Sequence, residues 1–180
     1  SNDMPEFHAF VNDVDSYNVK QMIQGLEKGA VDLNANMEIH EIDIEDEPDK
    51  AIKEIKKAVR RSTKAIIISP FESDELNKLL GKAQKKEISL IYLNAVEKYD
   101  IPGTYISPDY HKAAEKAGHL LAEALNKEGE VIMLNTSPED SGAADLEAGF
   151  LKAIQEYPNS RLVNLFNCNG ERDNTIKTLE

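Results

Sequence analysis

The four residues Ala65 to Ile68, in the stretch "STKAIIISPFESDEL", constrain this chain most. They show none of the apolar/polar alternation of a strand with one wet face. They therefore read as a strand covered on both sides, which is the environment of a parallel sheet flanked by helices. Such strands cannot be joined by hairpins, so the neighbouring sequence must supply crossovers. Pro70 and then the acids Glu72, Asp74 and Glu75 follow directly. In open parallel sheets ligands sit in the crevice outside the carboxyl ends of the strands, so this acidic exit is a candidate binding segment.

The rest of the chain supplies the expected crossovers. Phe7 to Val11 is a short apolar strand, followed by the turn "NDVDS" and a helix from about Tyr17 to Asn34, with Val19, Met22, Ile23, Leu26, Ala30 and Leu33 on one face. "MEIHEIDI" (37–44) mixes polar and apolar residues as an edge strand does. Pro48 opens a helix reaching Arg61, where its missing N–H costs nothing. Beyond Ser69 come a helix from Asp74 to Lys86, the strand "ISLIYLN", the shorter strand "TYISP" and a helix from the N-cap Asp109 to near Lys127. "EVIMLNT", "AADLEAGFLKAIQEY", "RLVNLFN" and "ERDNTIKTLE" then repeat strand, helix, strand and the start of a helix. This alternation predicts right-handed βαβ units and an α/β fold of doubly wound parallel sheets. The restart places a domain boundary at "NKEGE" (126–130), giving a first domain over 1–127 and a second, incomplete one over 128–180.

Charge narrows the partners. Thirty-three acids against 21 Lys and Arg give a formal net charge of −12 over 180 residues, which repels phosphate backbones and anionic lipid. No nucleic-acid partner is expected for this segment. Cys168 is a single cysteine, and no Cys/His set has zinc-ligand spacing. His8, His40, His111 and His119 are scattered over three expected elements and are read as surface or packing residues. No cofactor or metal is expected. No stretch approaches the length of a membrane-spanning helix. Ser1-Asn2 has the look of a tag-cleavage remnant, so a signal or anchor is expected upstream of this sequence.

Five expected strand exits share one chemistry: "NDVDS" (12–16), "SPFESD" (69–74), "NAVE" (94–97), "TSPEDSG" (136–142) and "NCNGE" (167–171). Each is rich in short oxygen-bearing side chains, and the first two carry Tyr17 and Phe71 beside acids. Carboxylates and amides can take the hydroxyl or amine hydrogens of a small polar molecule while an aromatic covers its C–H face. The same residues also serve as helix caps and solvated turns, and both readings stand at this point.

Taken in order, the first strand and turn with Tyr17, "KAIIISPFESDEL", "LIYLN" with "YISPDYHKAAEKAGHLLAEAL", and "GEVIMLNTSPEDSGAADLEAGFLKAI" resemble the type I periplasmic solute-binding proteins. The resemblance is strongest to the ribose-binding branch, whose ligand core is shared with lactose-repressor-family regulators, and it runs from Phe7 through nearly the whole chain. It implies two lobes closing on a small solute without chemistry. Asp13, Asp15 and Tyr17 would form one contact loop and Phe71 and Glu72 a second, joined by Asn94 and Asp109. Two departures bear on the ligand. Ala95 and Ala144 stand where the ribose-binding pattern has arginines that grip hydroxyls, so a neutral polyol, another sugar or a cationic solute is favoured over ribose or an anion. Family members are also longer, so the second lobe is expected to be partial, with an unpaired strand edge and a tendency to self-associate.

An enzyme reading finds no nucleophile with its base, no G-x-G-x-x-G, no phosphate loop and no G-x-S-x-G. A phosphate-accepting receiver domain would need an Asp after the third strand, where Ser69-Pro70 stands. The expected role is therefore extracytoplasmic solute binding with no enzymatic activity. An ABC permease, a receptor or a sensor kinase would be the partner, and effector binding by a transcription regulator is the alternative.

Overall fold

The computed structural model describes residues 4–61, 63–95, 99–137, 142–169 and 171–179. The apolar run becomes β3 (Ala65–Ile68), with every residue buried. It pairs in parallel with β1 (Glu6–Val11) on one side and β4 (Ser89–Leu93) on the other. With β2 (Asn36–Glu41) and β5 (Thr104–Ile106) they form a parallel sheet of order β2-β1-β3-β4-β5. β2 is the edge strand, as its mixed composition implies. It stops at Glu41 rather than at residue 44. The Asp43 carboxylate accepts the backbone N–H groups of Glu45 (3.1 Å) and Asp46 (2.9 Å), which turns the chain out of the sheet.

The crossovers place α1 (Tyr17–Asp32) on one face and α2 (Pro48–Arg60) and α3 (Asp74–Lys85) on the other. On the α1 face Met22 and Leu26 pack around Ala9, Ile67 and Leu93. On the opposite face Ile55, Ala58, Leu76 and Leu80 cover Phe10, Ile66, Ile68 and Tyr92. Burying each such aliphatic side chain is worth about 1.5–3 kcal/mol. The sheet is therefore doubly wound. Two of these helices are capped by serine, Ser16 accepting from the Val19 N–H and Ser73 from the Leu76 N–H, each at 3.2 Å. Helices α1, α3 and α4 (Tyr110–Ala124) end alike. Asn34, Glu87 and Asn126 adopt left-handed backbone, and the following N–H reaches back to the carbonyl of Ala30, Ala83 or Ala122.

Contacts divide the chain into two compact units, 1–107 and 108–180. The division precedes α4 rather than following it at 126–130, as the sequence restart had placed it. The reason is packing: α4 lies against α5 (Ala143–Ile154), and Ala114, Ala122, Val131, Phe150 and Ile154 form a shared core. The two helices approach most closely where Gly118 faces Ala153 and Gly149 faces the His111 backbone. Among the described residues the second unit holds a two-stranded parallel sheet, β6 (Glu128–Asn135) with β7 (Asn159–Asn167), followed by α6 (Arg172–Leu179). A bulge at Val163 interrupts the pairing. Ile132, Leu134 and Val163 are exposed there.

Candidate ligand-binding site

In the order β2-β1-β3-β4-β5 the winding reverses between β1 and β3, and this reversal opens a crevice at their carboxyl ends. Register sets Phe10 opposite Ile68 and Ile68 opposite Tyr92, so the segments leaving β1, β3 and β4 emerge from one edge of the sheet. Six of the seven residues expected from the sequence, Asp13, Asp15, Tyr17, Phe71, Glu72 and Asn94, lie on those segments. Parts of the other expected loops (96–97, 138–141 and 170) lie outside the described residues.

The first exit turns at Asp13, whose φ of 55° is left-handed and whose carbonyl accepts the Ser16 N–H at 3.0 Å. This turn leaves the carboxylates of Asp13 and Asp15 exposed. Tyr17 begins α1 and is 74% exposed, with its ring free of the core. Asn94 uses the same left-handed device (φ 54°) after β4, its N–H donating to the Ile106 carbonyl at 2.9 Å.

Phe71 is different from Tyr17, because it is half-buried and packs on the core beneath α2 and α3. Its carbonyl accepts the Tyr99 hydroxyl at 3.0 Å. Tyr99 belongs to a group that sequence reasoning missed. Its ring lies 5.4 Å from that of Tyr92, which lies 5.2 Å from Tyr105, and the Tyr99 N–H donates to the Tyr105 hydroxyl. Tyr92 is anchored by its own hydroxyl on the Ile101 carbonyl at 2.8 Å. Burial pushes the Tyr99 hydroxyl above its ordinary pKa, and the charges of Asp100 and Glu72 push it further. The tyrosines thus hold the β3 exit from behind while Glu72 stays exposed. Three tyrosines within "YLNAVEKYDIPGTY" were the available signal.

Asp13 and Asp15 also border a cavity of about 580 Å³ on the β2 side of their loop. Its lining includes Glu41, Asp43, Glu45, Asp46, Glu47 and Glu54, with Lys50 as the one basic residue. Lys50 is held by Glu47 at 2.9 Å. Phe71, Glu72 and Asn94 do not line this space, so the loop of Asp13 and Asp15 has the crevice on one side and an acidic basin on the other.

Asp109 lies in the second unit, where it caps α4. Its carboxylate accepts the Lys112 N–H at 2.9 Å, and the Lys112 ammonium lies 3.5 Å away. That backbone hydrogen bond, aided by the Lys112 charge, holds its pKa below the ordinary aspartate value.

A family model described as "Periplasmic binding protein domain" matches residues 9–180. The chain is 24% identical over 123 residues to the xylitol-binding protein of Mycolicibacterium smegmatis, covering 68% of this chain and 35% of that protein. It is 25% identical over 133 residues to a ribose import binding protein of Haemophilus influenzae, covering 74% and 45%. These matched segments are less than half the length of either relative. Among solved structures, an ABC transporter periplasmic solute binding protein from Actinobacillus succinogenes with bound D-allose superposes with a TM-score of 0.81 at 23% identity. The match covers 97% of this chain and 63% of that one.

Proposed function

The chain belongs to the periplasmic binding protein family, a family of solute binders rather than enzymes, and from that premise we propose that it binds a small neutral sugar or polyol outside the cytoplasm for ABC-type import. The observation that carries the reading is the juxtaposition, at the β1/β3 reversal, of two acid-bearing loops that each bring an aromatic residue. Ionised Asp13, Asp15 and Glu72 accept hydroxyl hydrogens, Asn94 offers both a donor and an acceptor, and Tyr17 and Phe71 cover the C–H face of the ring. Asp109, of the second unit, serves as a helix cap.

The surplus of acids supports a neutral ligand, because an anion would meet Asp13, Asp15 and the basin beside them with little compensating charge. Ala95 and Ala144 point the same way, since neither offers the guanidinium that would hold an anionic group. A cationic solute is the other ligand this charge favours. Signalling through a receptor or sensor kinase, or effector binding by a regulator, would use the same binding step and differ only in the partner that reads it. Among the described residues no helix is long and apolar enough to cross a membrane.

The test is a thermal-shift screen of pentoses, hexoses, pentitols, cyclitols and amines on the intact protein. A ligand at about 100 times its dissociation constant should add about 2.7 kcal/mol of stability. Glu72→Ala should then weaken binding by roughly ten- to a hundred-fold, the equivalent of a charge-assisted hydrogen bond of about 1.5–3 kcal/mol, with an unchanged unliganded fold. A ligand indifferent to Glu72→Ala, Tyr17→Ala and Phe71→Ala would remove these loops from the site.

A further inference from the structure

Away from the ligand loops, the parallel register of β1 and β2 sets His8 opposite Glu38 and Phe10 opposite His40. The two imidazoles, 32 residues apart in sequence, meet with His8 Nδ1 2.8 Å from His40 Nε2. Their planes are 16° apart and their centroids 5.2 Å. Glu38 completes the group, one carboxylate oxygen 3.7 Å from His8 Nδ1 and the other 3.6 Å from His40 Nε2. His8 is 1% exposed and the His40 side chain 15%.

We propose that His8 Nδ1, His40 Nε2 and the Glu38 carboxylate bind a first-row transition-metal dication of the zinc type, leaving one position for water. Two imidazoles and a carboxylate with an open fourth position are a donor set such ions favour over calcium or magnesium. The far side of His8 is already arranged for the task, while that of His40 faces Glu54 from beyond hydrogen-bond reach. His8 Nε2 lies 2.5 Å from Glu6 Oε1, and His40 Nδ1 lies 4.0 Å from Glu54 Oε2. Metal-bound histidines usually direct their second nitrogen at a carboxylate in this way.

Glu6 fixes the His8 proton on Nε2, so Nδ1 presents a lone pair and His40 Nε2–H donates to it. On ion entry that proton moves to His40 Nδ1, facing Glu54, and neither ring changes its charge. Tetrahedral Zn–N bonds of about 2.0–2.1 Å put two ligand nitrogens about 3.3 Å apart, so the rings must part by about half an ångström and also pivot, since they now meet head-on, to bring both lone pairs onto one ion. With neutral rings, Glu6, Glu38 and Glu54 face two cations, Arg61 Nη1 lying 3.3 Å from Glu38 Oε2 and Lys57 Nζ 2.7 Å from Glu54 Oε1. That leaves the Glu6 charge uncompensated beside His8, and a cation at the rings would offset it. The ion would tie the edge strand β2 to the central strand β1.

A second group, Glu115, His119 and Glu156, serves as the control. There Lys152 already holds Glu115 at 2.9 Å and the Tyr157 hydroxyl meets His119 Nδ1 at 2.9 Å.

The experiment titrates untagged, metal-stripped protein with Zn²⁺ against a chromogenic chelator, and with Co²⁺ followed by visible absorption. One equivalent should bind, with an absorption band of low-coordinate Co²⁺. His40→Gln should abolish the band and weaken Zn²⁺ by more than the roughly 10- to 100-fold typical of outer-shell changes, whereas Glu6→Gln should cost about that amount and keep the band. Arg61→Gln should bind more tightly than the unaltered protein, because it frees Glu38, and a misfolded variant would not produce that gain. Glu115→Gln should change nothing. Absence of stoichiometric Zn²⁺ binding, His40→Gln binding as well as the parent, or loss of binding in Glu115→Gln would each overturn the assignment, leaving a hydrogen-bonded histidine pair only.

Discussion

Replacing glycine by alanine at four helical positions of this chain should change stability in opposite directions, and the structure says which way at each. In α5 a Cβ built on Gly149 runs into the carbonyl oxygen of His111 in α4 and lies 2.8 Å from its carbonyl carbon. That is 0.6 Å inside the 3.4 Å at which ordinary contact begins. The neighbour is backbone, so no rotamer change can relieve it, and the helices must separate. Gly118, on α4, meets the same limit from the other side, its Cβ 2.7 Å from that of Ala153. Overpacking of this kind costs about 1–3 kcal/mol. Alanine's better helix propensity returns up to about 1 kcal/mol, so with a backbone clash at the upper end of that cost Gly149→Ala should destabilise the second unit by about 2 kcal/mol. In α1, Gly25 and Gly29 have nothing within 4 Å of the added methyl group. There only the propensity gain acts, and each alanine should stabilise by about 0.5–1 kcal/mol. Urea unfolding, with hydrogen exchange assigning the change to residues 1–107 or 108–180, measures both. If Gly149→Ala stabilised the chain as much as Gly25→Ala, the close α4–α5 approach would be wrong.

Two further outcomes follow from the charges and the apolar surface. Asp109 has a folded pKa below its ordinary 3.8, so its cap should contribute fully above that value and be lost as pH falls below it. Asp109→Asn, a comparable cap, should flatten the acid limb of a stability-versus-pH curve, and an unchanged limb would refute the assignment. Exposed Ile132, Leu134 and Val163 lie on a sheet that has two strands among the described residues, and apolar strands at sheet edges favour association. Light scattering should show a mass that rises with protein concentration, whereas a constant monomer mass would argue against it.

Local chemistry made much of the architecture legible. The continuous apolar run of β3, Pro48 at a helix start and Asp109 as a cap were all readable, because each depends on neighbours within a turn or so. What failed to show depended on long-range pairing. Nothing in "NKEGE" or in "SPDYH" says which unit claims α4; the close contacts of Gly118 and Gly149 do. His8 and His40 belong to strands whose register no local pattern specifies, so four scattered histidines hid a touching pair. The candidate loops were recognisable by their acids, but Phe71 packs inward and Tyr17 outward, a distinction made by the core beneath them. Tyr99 was overlooked because its role is to hold another residue's carbonyl.

The central place of β1 also has a kinetic side. Its partner β3 pairs Phe7 with Ala65, 58 positions further on, and even its nearer partner β2 begins 30 positions away, Glu6 pairing with Asn36. At about 5–20 residues per second on a ribosome, β1 would wait roughly 3–12 s for β3 to be made. Non-local parallel pairings of this type are slow to form even in the complete chain, because loop closure must precede any gain from contact. Until then Ala9, Phe10 and Val11, all wholly buried in the end, have only the edge strand β2 to pair with. The turn of Asp13 and the turn of Glu72 become neighbours only when β1 and β3 zip together. Competence to hold a ligand should therefore appear late in folding and abruptly, and a soluble ligand present during refolding should slow unfolding without hastening the first steps of collapse.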